Sequence, residues 1–259
     1  KSYKDWHYDV TKILPDQHPD NFVENDSCSA SFLKTSSSEY PVIKVTFKDV
    51  DPDEDDEVKK SFEKHFMLLS CLSKYSLLEF LGGSFDNEVS CYYSFFGGGS
   101  IDKNNFNMLD ADGLHQILRD SKTFASEIPY YVAKGINYLH SRGIIHGNLS
   151  PKTMFYNNTS RSIKIWNYVL STTDNINENR APPEYHEKKI YTMKSDVFQF
   201  GTLLYQIGTN LFPRNAYLKQ PDLDNVNGRE CFSPEMKKLI LDCWKRDPSE
   251  RPTFEEILK

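Results

Sequence analysis

Side chains able to do chemistry are plentiful in this chain but poorly grouped for it. His7, His18, His115, His140 and His186 show neither metal-ligand spacing nor a catalytic signature. Five cysteines, Cys28, Cys71, Cys91, Cys231 and Cys243, are odd in number, far apart and form no C-x-x-C pair, which argues against both a disulfide framework and zinc. They suit a reducing compartment, so a cytoplasmic location is expected. The dense acidic run from Asp49 to Glu57 reads as a solvated loop. What remains is a set of single polar groups at long separations: Lys44, His65, Asn148, Thr153, Asn167, Glu184, Asp196 and Arg251. Their chemistry depends on which of them the fold brings together.

The segments around these residues carry the informative pattern. His140-Ser141-Arg142-Gly143-Ile144-Ile145-His146-Gly147-Asn148-Leu149-Ser150-Pro151 resembles the approach to the protein kinase catalytic loop, whose usual form is H-R-D-L-x-x-x-N. Lys194-Ser195-Asp196-Val197-Phe198 with Phe200-Gly201, then Cys243-Trp244-Lys245-Arg246-Asp247-Pro248-Ser249-Glu250-Arg251-Pro252, follow in the order and at the distances of a kinase C-lobe. Upstream, Pro41-Val42-Ile43-Lys44 is similar to the V-A-I-K strand, and Phe62 to Gly82 resembles helix αC and the strand after it. The resemblance covers nearly the whole chain. The C-terminal pattern is most like tyrosine kinases and the tyrosine-kinase-like group.

Phosphoryl transfer is mostly positioning and charge neutralisation, so each role that the resemblance implies can be checked for the group it needs. The catalytic aspartate position is Asn148, and an amide cannot accept a proton at neutral pH, which removes a factor of about 10² to 10⁴ in rate. The metal-binding asparagine falls on Thr153 and the D-F-G aspartate on Asn167, leaving magnesium without a carboxylate at either position. The glycine-rich loop aligns with Asn25 to Phe32, with Asn25, Ser27 and Ala30 at the glycine positions and Asp26 adding negative charge. The αC glutamate position is His65. Tyr93 aligns with the gatekeeper before the hinge. Lys44 is either a remnant of the nucleotide cleft, with Tyr93, or a strand lysine whose stem is buried and whose ammonium is in solvent. The bracing residues are kept: Pro182-Pro183-Glu184 resembles the A-P-E triplet, Arg251 the arginine that pairs with its glutamate, and Asp196 the aspartate that holds the catalytic-loop backbone.

The elements that must position these groups are legible as periodicity. Val42 to Phe47 and Val89 to Phe96 suit strands, and Glu57 to Leu72 suits one helix. Ile128, Val132, Ile136 and Leu139 mark a helix from Glu127 to Ser141, and Asp196 to Gly208 is another. Ser36 to Ser38 reads as a hairpin turn, and Gly97-Gly98-Gly99 as a loop or a hinge. Together with these elements, the kinase resemblance implies an α+β fold class, a bilobal kinase-like domain over residues 1–259. It comprises a small β-rich N-lobe with helix αC (1–96), a hinge region (97–101) and a larger helical C-lobe (102–259).

The expected function is that of a pseudokinase, a noncatalytic protein-binding scaffold or allosteric regulator in signalling, whose partner is another kinase or signalling protein. No metal is expected and no cofactor beyond weak, magnesium-independent ATP binding. The alternative is an atypical active kinase or nucleotide switch in which Lys44, Asn167 and a displaced acid such as Asp174 rebuild a metal site. A net charge of -6 without a basic cluster argues against nucleic acid, and no apolar run approaches the roughly 18 residues a membrane span needs.

Overall fold

A computed structural model describes residues 8–9, 11, 13, 21–24, 28–36, 38–48, 56–72, 77–85, 88–94, 106–108, 122–157, 162–166, 180–213, 216–224, 226 and 231–259. The chain divides into two compact units, 1–104 and 105–259, a boundary just C-terminal to the span expected for the hinge.

The first unit is built on a five-stranded antiparallel sheet in the order β1-β2-β3-β5-β4, from β1 (Asn21–Glu24), β2 (Cys28–Thr35), β3 (Ser38–Phe47), β4 (Glu79–Ser84) and β5 (Ser90–Ser94). The β2–β3 hairpin turns at the serine cluster, where Thr35 faces Ser38. Helix α1 (Asp56–Leu69) carries Phe62, Phe66 and Leu69 at the spacing of one helical face. Phe66 is fully buried and packs against Phe80 and Phe85 with ring centroids 5.8 and 5.5 Å apart, while Phe62 meets Phe47 at 4.8 Å. The backbone of Gly83 passes directly beneath the Phe66 ring, and a Cβ at that position would collide with it. Only glycine permits that closeness.

Strand alternation separates two faces of this sheet. Ile43 pairs with Tyr93, and Tyr93 with Phe80, which places this row on the α1 side. Lys44 pairs with Tyr92, and Val42 with Leu33, on the other side. There Tyr8 stacks on Tyr92 with centroids 4.2 Å apart, and its N–H donates to the Gly83 carbonyl at 2.8 Å. Tyr8, Leu33, Val42 and Tyr92, with Ile13, form a small apolar cluster.

The second unit contains a three-stranded sheet, β6 (Phe106–Met108), β7 (Met154–Asn157) and β8 (Ser162–Ile165), with helices α2 (Lys122–His140), α3 (Pro183–Lys188), α4 (Met193–Thr209), α5 (Pro234–Cys243) and α6 (Phe254–Ile257). Helix α2 begins five residues before the expected Glu127, which places Pro129 inside it. The proline removes one backbone bond, and the fully buried Ile128 and Val132 beside it hold the turn against that loss. Helix α4 is buried on almost every side, as its long apolar run implies, and is the axis of the unit. Its start is fixed by a capping box between Thr192 and Ser195, and its end by Asn210 in the left-handed conformation at φ 56°.

Candidate functional site

The loop between α2 and β7 is held from α4. Asp196, in the first turn of α4 and fully buried, accepts the backbone N–H groups of His146 and Gly147, each at 2.8 Å. It also lies 2.8 Å from His140 Nε2 and accepts the Tyr191 hydroxyl at 3.3 Å. One turn on, Gln199 accepts the N–H of Leu149 at 2.7 Å and reaches the Gly147 carbonyl at 3.5 Å. Gly147 has a φ of 79°, a left-handed value that suits glycine and opposes the arginine of the usual kinase motif. Two α4 side chains thus satisfy four backbone groups of one loop, and that fixes its shape before any ligand arrives.

Burial sets the charge state around this brace. The His146 imidazole is fully buried, which pushes it down to about 4 against the smaller opposing pull of Asp196, so it is neutral at physiological pH. Its Nδ1 accepts the N–H of Asn148 at 3.2 Å. The Tyr191 phenol is raised by burial and then by the Asp196 charge, and it serves only as a donor.

Asn148 is partly exposed, and it places a neutral amide at the position of the catalytic aspartate. Thr153 is buried and its hydroxyl is used by the loop itself. It accepts the Ser150 N–H at 3.1 Å and lies 2.9 Å from the Ser150 carbonyl and 3.2 Å from that of Asn148. A magnesium ion, the group that the kinase resemblance implies, does not fit these two positions. Neither carries charge, and the Thr153 hydroxyl is buried and already bonded within the loop. Among the described residues no three His, Cys, Asp or Glu side chains cluster as a metal site.

A second brace ties α3 to the C-terminal segment. Arg251 Nη1 and Nη2 donate to the two Glu184 oxygens at 2.8 Å each, and Ser195 donates to the same carboxylate at 2.7 Å. Arg251 also donates to the carbonyls of Lys194, Lys245 and Arg246 at 2.9, 2.8 and 3.2 Å. All five bonds form with the guanidinium at 0% exposure.

In the first unit the structure does not bring Lys44 and Tyr93 together. They lie on opposite sheet faces, because their strand neighbours alternate and Lys44 pairs with Tyr92 instead. Lys44 Nζ pairs with Glu88, at the start of the β5 segment, and Thr46 lies 3.4 Å from the same oxygen. His65 sits in α1, and its side chain lies outside the described residues, as do Asn167, the Asn25 to Ser27 part of the glycine-loop region, the 97–101 span and Ser171 to Thr173.

Sequence reasoning missed Gln199, Tyr191, Ser195 and Glu88. Gln199 and Ser195 had a readable signal, since they fall three residues after and one before Asp196 on a buried helix. Glu88 had none, because it reaches Lys44 only through the β3–β5 register.

The family model for protein tyrosine and serine/threonine kinases matches residues 28–259. Among curated proteins, the chain is similar to seven transmembrane domain-containing tyrosine-protein kinase 1 of Dictyostelium discoideum, with 27% identity over 82% of this chain and 33% of that protein. It is also similar to the mast/stem cell growth factor receptor Kit of Gallus gallus, at 28% over 59% of this chain and 17% of the relative. Vascular endothelial growth factor receptor 1 of Homo sapiens matches at 31% over 58% of this chain and 13% of the receptor. The chain therefore spans about a third or less of the length of these relatives.

Proposed function

Because the chain belongs to the protein tyrosine and serine/threonine kinase family, we propose that it is a noncatalytic member that acts by binding a protein partner, as a scaffold or allosteric regulator in signalling. The observation that carries this reading is the contrast within one loop. Asp196 and Gln199 hold its backbone in place, while Asn148 and Thr153 stand where an acid and a metal ligand are needed. A loop kept rigid without its chemistry is useful as shape. Fold alone does not establish function, and the partner class follows from the loss of the catalytic groups. The partner in this reading is another kinase or signalling protein in the cytoplasm, and the candidate surfaces are the α1 face around His65 and the segment from Ser171 to Arg180.

Nucleotide binding is accordingly weak or absent and gains nothing from magnesium. Thermal unfolding with ATP, with and without magnesium, tests this, because a ligand that binds only the folded state raises Tm with its concentration. A magnesium-dependent rise growing with ATP contradicts the proposal.

The relatives are named as kinases, and this favours a second reading, an atypical active kinase using a displaced acid such as Asp174. The same titration discriminates the two.

A further inference from the structure

The family match begins at residue 28, yet the first unit is completed by residues that precede it. Tyr8 is 8% exposed, its ring lies nearly flat on Tyr92 with centroids 4.2 Å apart and planes within 16°, and its N–H donates to the Gly83 carbonyl. Ile13 packs on the same cluster as Leu33 and Val42. Between these two anchors the chain bonds to itself. The Thr11 N–H and hydroxyl both donate to Asp9 Oδ1, at 3.2 and 2.5 Å, and both residues are exposed. An aspartate-led turn of this kind is made from the segment's own groups. Two apolar side chains and one backbone bond anchor the segment to the sheet.

The patch beneath is organised like a recognition surface. It lies on the sheet face opposite α1, separate from the Phe66 packing, with Leu33, Val42 and Tyr92 at its centre. Along the same strands this face turns polar: Ser31 pairs with Lys44, Lys44 pairs with Glu88, and Thr46 reaches the same carboxylate. An apolar centre with a polar rim is the arrangement of a protein interface. The segment seated on it defines what it accepts: an aromatic ring to stack on Tyr92, an N–H for the Gly83 carbonyl, and an aliphatic side chain five residues on.

We propose that this face of the sheet is a peptide-binding site held closed in cis by a strap, residues 8–13, and that the partner it takes is a protein segment of the same chemistry, an aromatic residue followed five positions later by a branched aliphatic one. The strap itself selects that occupant, because it is the ligand already in place. Joined to β1 through residues 14–20, it competes at an effective concentration on the order of a millimolar. For the closed form to prevail by about tenfold, the same sequence supplied as free peptide must bind a vacated site with a Kd of about 100 micromolar or tighter. It must bind the parent at least about tenfold more weakly, since the competent state is then the minor one. The site rests on the noncatalytic reading only in taking the partner to be a protein.

Its test uses the full chain and a fluorescein-labelled peptide of residues 5–14, Asp-Trp-His-Tyr-Asp-Val-Thr-Lys-Ile-Leu, followed by anisotropy. Tyr8→Ala should bind the peptide with a Kd of about 100 micromolar or tighter and the parent at least about tenfold more weakly. Tyr8→Phe, which restores the ring, should restore the exclusion. Ile13→Ser, at the partly buried second anchor, should open the site as Tyr8→Ala does. A peptide with alanine in place of its tyrosine should not bind the opened chains. Equal affinity of parent and Tyr8→Ala, no binding to Tyr8→Ala at about 1 mM peptide, or a Tyr8→Ala chain that fails to fold would each overturn the site, the last by making the segment core instead of strap. A parent dimer that Tyr8→Ala dissociates, read by sedimentation, would give the patch to a second copy's segment and overturn the cis arrangement. Phosphotransfer by the same preparation, with peptide binding intact, would sink the noncatalytic reading and leave this site standing.

Discussion

Arg251→Ala removes five hydrogen bonds at once and leaves the Glu184 carboxylate buried with the Ser195 hydroxyl as its remaining donor. Breaking one side of a buried pair costs about 3–5 kcal/mol, mostly through the charge left behind. For a chain of this size that corresponds to a fall in Tm on the order of 10 °C. Glu184→Ala should cost a similar amount, since it strands the guanidinium instead. The double substitution strands neither, so its cost should fall short of the sum of the two by at least about 2 kcal/mol. Urea denaturation of the four proteins gives the complete cycle. If Arg251→Ala melts with the parent, or if the two substitutions add, the pair does not hold the second unit together as argued.

Other expectations follow from single features of the structure. Gly83→Val should destabilise by about 1–3 kcal/mol, because its side chain must displace the Phe66 ring from under α1; unchanged urea midpoints would remove that close approach. Lys44→Ala should cost no more than about 1 kcal/mol, since the Lys44–Glu88 pair is 23 and 43% exposed, and a double-mutant cycle with Glu88→Ala checks this. His146 is held near 4 when folded and titrates at 6.5 when unfolded, so the unfolded chain binds the extra proton as pH falls. Stability should therefore be complete above pH 6.5 and decline by about 3 kcal/mol by pH 4, a limb that His146→Phe should flatten in pH-dependent denaturation.

The legible part of this molecule is what depends on local periodicity and on complete motifs. Val42 to Phe47 is an apolar run that forms a strand, Phe62, Phe66 and Leu69 stripe one helix face, and the long apolar run beginning at Asp196 is the buried α4. Asp196, Glu184 and Arg251 could be named from sequence because the motifs around them are long. The illegible part depends on register between distant strands. Whether Lys44 and Tyr93 share a face is decided by the pairing of Ile43, and not Lys44, with Tyr93, and no local pattern fixes that pairing. The Lys44–Glu88 pair is hidden for the same reason. The start of α2 at Lys122 lay outside the apolar spacing that marked Glu127 to Ser141, and packing of Ile128 and Val132 holds Pro129 inside the helix against proline's preference for a helix start.

The most direct test of the central proposal is phosphoryl transfer from ATP, by purified full chain with magnesium, to itself and to generic tyrosine and serine/threonine substrates. The result expected is no transfer above the uncatalysed background, with the chain folded as judged by its Tm, because Asn148 cannot take the substrate proton and Thr153 offers no charge to the ion. Magnesium-dependent turnover within the roughly 1–100 per second usual for kinases, lost on Asn148→Ala, would contradict it.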